Sequence, residues 1–89
     1  MINPHVYVLD GNACATLYHW RVVYPELKSV DDLLKALRRR KYTAKCDYTT
    51  KPDGRFNEFV FTITGLTTDA EREKALIVLR ETAIKTGWR

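Results

Sequence analysis

The hydrophobic pattern of this chain switches twice from strict alternation to helical spacing, and that order leaves few folds open to it. Val6 to Leu9 is a short apolar run that ends in Asp10-Gly11, a strong hairpin signal. Thr16 to Tyr24 then alternates, with Tyr18, Trp20, Val22 and Tyr24 on one side and His19 and Arg21 on the other. That is the pattern of a half-buried strand, which Pro25 ends. Ser29 with Asp32 reads as a capping box, and Val30, Leu33, Leu34 and Leu37 form the buried stripe of a helix.

Alternation returns from Tyr42 to Tyr48, with Tyr42, Ala44, Cys46 and Tyr48 on one face and Thr43, Lys45 and Asp47 on the other. Pro52-Asp53-Gly54 is a turn signal. The strand after it, Phe56 to Thr64, sets Phe59, Phe61 and Ile63 against Glu58, Val60 and Thr62. Thr68 and Glu71 form a second capping box, opening a helix to about Thr86 that Gly87 closes.

The order is ββαββα, and its last five elements are most of the ferredoxin-like βαββαβ unit. The final strand of that unit has no counterpart, and the Val6–Leu9 segment is placed to supply a fourth strand by hairpin pairing. The expected fold is α+β, a ferredoxin-like variant: a small antiparallel sheet of about four strands with two helices packed on one face. At 89 residues the chain makes one domain, 1–89.

Charge is the strongest functional feature. Between Lys28 and Arg55 stand nine Lys/Arg and four acids, a local excess of +5, whereas the rest of the chain carries −1 of the net +4. Such a field attracts polyanions. The expected contacts are Lys35, Arg38 and Arg39 on the outer side of the first helix, Arg40 and Lys41 at its end, Lys45 on the next strand, and Lys51 and Arg55 beside the hairpin turn. Part of this excess complements the helix dipole, whose negative end lies at Arg38–Lys41.

Nucleic acid is the leading partner on these grounds, held through phosphates with little sequence preference. Base stacking is not expected, because Tyr18, Trp20, Tyr24, Tyr42, Tyr48, Phe59 and Phe61 fall on the core phases of their strands. Tested as the third-strand motif of RNA-recognition domains, Arg55 to Thr62 matches only at Arg55, Phe59 and Val60.

The alternative is a protein-interaction module, an inhibitor or adaptor. It would act through the second helix, an open sheet edge, or the basic surface against an acidic protein. On that helix Ala75, Leu76, Leu79 and Ala83 form the core stripe, while Ile77 and Ile84 point about 140–160° away. Two readings of this pair stand: a protein interface, homodimer included, or a rotated helix that buries both.

No enzyme is expected, since no nucleophile elbow, phosphate-cradling glycine loop or paired-carboxylate motif occurs. His5 and His19 lack ligand spacing to each other and to the cysteines, so neither metal nor cofactor is expected; His19 beside Asp47 or Glu58 is the one acid–base pair to test. Cys14 and Cys46 read as free thiols of a reducing compartment. With no secretory signal in Met1–His5 and no membrane-spanning run, a cytoplasmic location is expected, without membrane contact.

Overall fold

A computed structural model describes residues 5–20, 25–50, 56–86 and 88; at 18–20, 25–27, 29, 48–50, 56 and 57 it describes the backbone alone. The elements are β1 (His5–Leu9), β2 (Asn12–Trp20), α1 (Pro25–Arg39), β3 (Thr43–Thr50), β4 (Phe56–Thr64) and α2 (Asp69–Lys85). They form an α+β fold with one open antiparallel sheet of four strands in the order β1-β2-β4-β3. Both helices lie on one face, α1 over β3 and α2 over β1 and β2.

The first hairpin and the start of α2 have local causes, while the Pro52-Asp53-Gly54 turn and Gly87 lie outside the described residues. Asp10 and Gly11 take φ of 52° and 78°, as a two-residue type I′ turn requires, and Leu9 pairs with Asn12 across it. The Arg72 Nε of α2 donates to the Gly11 carbonyl at 2.9 Å while its Nη1 reaches Asp69, which ties the turn to the first turn of the helix. Thr68 is the N-cap of α2 and accepts from the Glu71 N–H at 3.1 Å. The Glu71 carboxylate accepts from the hydroxyls of Thr67 at 2.7 Å and Thr68 at 3.1 Å. Those bonds hold its pKa below the ordinary value, so their stabilisation is present at neutral pH and fades as acid protonates the carboxylate.

The core is built on β4. Phe59, Phe61 and Ile63 are buried between Ala13, Ala15 and Leu17 of β2 and Ala44 of β3, beneath Leu33, Leu37, Ala75, Leu79 and Ala83 of the helices. Trp88 completes it. Its backbone N–H donates to the Ala83 carbonyl at 3.0 Å, five residues back. Its ring stands edge-on to Phe59 at 5.3 Å and to Phe61 at 5.4 Å.

Three expectations change. First, α1 begins at Pro25, so Ser29 lies within the helix and not at its start. A proline suits a first helical turn, where its missing N–H has no partner to lose.

Second, β2 runs four residues earlier than its aromatic alternation implied, and on the other phase. Ala13, Ala15 and Leu17 face the core, whereas register sets position 18 against Glu58 and position 20 against Phe56, on the parity of Cys14 and Thr16. The side chains of Tyr18, His19, Trp20 and Tyr48 lie outside the described residues, as do residues 21–24. The core assignment of aromatics therefore holds for Phe59, Phe61 and the half-buried Tyr42, and register opposes it at 18 and 20.

Third, His19 pairs in register with Asn57, on the parity opposite to Glu58 and Asp47, so the strands do not set it beside either acid.

Replacing the Trp88 indole should be costly. Trp88→Ala is expected to lower stability by about 3–5 kcal/mol in urea unfolding, a large part of what a domain this size has. Trp88→Phe, which keeps a ring on Phe59 and Phe61, should lose roughly half as much. Equal losses would show that the ring contacts are not the cause.

Candidate nucleic-acid interface

The basic residues take their positions from α1. Leu33 and Leu37 are buried and Val30 and Leu34 pack beside them, so at 100° per residue Lys35, Arg38 and Arg39 fall on the solvent side, and all three are exposed. Lys35 lies three residues from Arg38 and four from Arg39, so the cations repel one another across single turns by about 0.2–0.5 kcal/mol each. The dipole at the end of the helix returns a similar sum, about 0.3–1 kcal/mol per cation.

The helix closes at Arg40 and Lys41. The N–H of Arg40 donates to Leu37 O at 3.1 Å, that of Lys41 to Arg38 O at 2.9 Å, and that of Tyr42 to Leu37 O at 3.2 Å. This is a Schellman close with Lys41 at φ 66°, in the left-handed position where glycine is usual. A side chain there costs about 1 kcal/mol. Arg40 also donates from Nη1 to the Ala36 carbonyl at 3.3 Å. Sequence reasoning found these residues by charge but missed the strain, because a lysine gives no sign of a left-handed turn.

Lys45 is exposed on the other face of the sheet, in register with Thr62. Since β3 is an edge strand, the cations of α1 and Lys45 wrap around one edge instead of sharing one plane. Lys51 and Arg55 lie outside the described residues. The strand ends that lead to them, Thr50 and Phe56, are at the opposite end of the sheet from Thr43, a span of about 23 Å along β3.

Lys28 is engaged with Asp32 at 3.3 Å, one turn along α1. By contrast, Lys35, Arg38, Arg39, Lys41 and Lys45 have no ion pair with any described carboxylate.

The other candidate groups do not converge. Among the described residues no three His, Cys, Asp or Glu side chains gather as metal ligands, and no helix is long and apolar enough to cross a membrane. Cys14 and Cys46 are free thiols on opposite faces of the sheet, in register with Thr62 and Phe61. Cys14 is buried on the helix-free face, where its strand partner Tyr7 bonds Thr16 Oγ1 at 2.9 Å. Burial first, and then the charge of Asp47, push the Cys46 thiol up to about 11. Ile77 and Ile84 are 51% and 42% exposed, so α2 is not rotated to bury them.

Compared with known proteins, the chain matches no family model, no curated protein and no solved structure.

Two outcomes follow. At pH 8 Cys46 should react with a disulfide reagent about a hundredfold more slowly than an unperturbed thiol, and Asp47→Asn should speed it; a fast reaction would refute the burial assigned to it. Lys41→Gly should stabilise the fold by about 0.5–1 kcal/mol in thermal or urea unfolding, since glycine takes φ 66° without strain.

Proposed function

We propose that this chain is a small non-catalytic binding domain that associates with nucleic acid through phosphate contacts. Lys35, Arg38, Arg39, Arg40 and Lys41 form the principal surface, with Lys45 reaching from the adjoining strand and Lys51 and Arg55 extending the contact. The observation that carries this reading is the group of exposed cations at the end of α1, four of which, Lys35, Arg38, Arg39 and Lys41, have neither an ion pair nor a bond to a described side chain. Lys41 adds weight, because charge is kept where glycine would relieve the backbone.

The sheet connectivity supports a ferredoxin-like variant. β4 lies between β2 and β3, α1 crosses from one to the other, and β1 occupies the outer position beside β2. Free thiols suit a reducing cytoplasm.

A second reading, a protein-interaction module, is favoured by the exposure of Ile77 and Ile84.

Salt separates the two. With five phosphates neutralised on duplex DNA, affinity should fall about 500-fold between 50 and 200 mM salt. Reversing Arg38, Arg39 and Arg40 to Glu should abolish a mobility shift, and Lys41→Gly should weaken it while raising stability. If no single- or double-stranded DNA or RNA shifts at low salt, nucleic-acid binding is refuted.

A further inference from the structure

The outward side of α2 carries Ile77 and Ile84 together with Glu73, Lys74, Arg80 and Glu81, all exposed. Seven residues apart, the isoleucines point within about 20° of each other at 100° per residue. Measured from their midline, Arg80 and Glu73 project about 50° and 30° to one side. Glu81 and Lys74 project about 50° and 70° to the other. None of these four charges forms an ion pair with a described residue. The helix thus presents a narrow apolar seam with exposed charges of both signs on each flank.

We propose that this seam binds a second copy of the chain, with the two α2 helices parallel about a two-fold axis that runs between them along their length. Charge selects that orientation. In a parallel symmetric pair each flank meets the opposite flank of its mate, so Arg80 faces Glu81 of the second copy and Glu73 faces Lys74, each pairing occurring twice. Ile77 then packs on Ile77, and Ile84 on Ile84.

In an antiparallel pair that sets Ile77 against Ile84, each flank meets itself. Arg80 would oppose Arg80 and Glu81 would oppose Glu81. The surface is self-complementary one way and self-repelling the other.

A single helix pair buries less than the roughly 1,600 Å² of a standard interface, which places it among weak, transient contacts. The pairing has a geometric consequence. Thr43 and Thr64 are register partners, so the end of α1 and the start of α2 lie at the same end of the sheet. Parallel association therefore turns both basic α1 ends the same way. The dimer itself does not depend on nucleic-acid binding.

Sedimentation equilibrium of the full chain at low salt tests it, from about 10 µM to 1 mM, a span in which weak association of roughly 4–7 kcal/mol is read. A monomer–dimer equilibrium is expected. Arg80→Glu alone and Glu81→Arg alone should each weaken it at least tenfold, with circular dichroism unchanged. The double variant R80E/E81R should restore it, because the pair re-forms with signs exchanged. A monomer throughout the range overturns the proposal. So do single reversals without effect, which an antiparallel pair or another contact surface would give, and so does a double variant as weak as the singles.

Discussion

Everything in this domain is referred to the buried phase of β4. Phe59, Phe61 and Ile63 lie under both helices, and β4 pairs with β2 on one side and β3 on the other. A strand's side chains alternate without exception, so fixing one strand's inward set fixes the inward set of each neighbour through the register. Ala13, Ala15 and Leu17 follow on β2, and Ala44 and Cys46 on β3. Small residues flank the aromatic strand because bulk at the centre leaves less room beside it, and α2 approaches with alanines of its own, Ala75 and Ala83. Trp88 then acts on the same two rings from the far end of α2, so the strand that sets the sheet also anchors the end of the last helix.

Legibility followed how local each signal was. Both helices, the first hairpin, the pairing of β3 with β4 and the core stripe of α2 could be read, because their signals are complete within a few residues: Asp10-Gly11, Thr68 with Glu71, and alternating or helical apolar spacing. The phase of β2 could not. Its alternation of aromatics is louder than Ala13 and Ala15, but alanine is what a helix packed close to a sheet demands, and only the register with β4 reveals that. Ser29 with Asp32 imitated a cap one turn inside α1, where Lys28 and Asp32 pair across the turn instead. Trp88 went unread because a lone aromatic after a helix acquires meaning only from what it touches. The candidate site was legible as a list of charges and not as a shape.

The shape matters to how the charges are weighed. Cations at a helix end are ordinary, and the dipole offsets their mutual repulsion, so energy alone gives α1 no reason to shed or gather them. Lys41 differs in kind. Its position closes the helix through the bonds of Lys41 and Tyr42, and the geometry of that close prefers glycine. Keeping lysine there runs against local stability, whereas Lys28, settled against Asp32, does not.

The two helices share one core and yet present different outer faces. Because Leu33, Leu37, Ala75, Leu79 and Ala83 satisfy the sheet from within, the outward residues are released from any folding constraint. On the last turns of α1, from Lys35 to Arg39, that freedom is filled by charge of one sign, which resists self-association and favours a polyanion. On α2 it is filled by two aliphatics and balanced charge, which does neither. A random solvated face would scatter the signs about the helix. Here they fall on both sides of Ile77 and Ile84, so that rotation about an axis parallel to the helix brings unlike charges together and rotation about a perpendicular axis brings like ones together. The face that has no role in folding therefore still distinguishes between orientations, and the one it selects keeps both copies' cationic ends on one side.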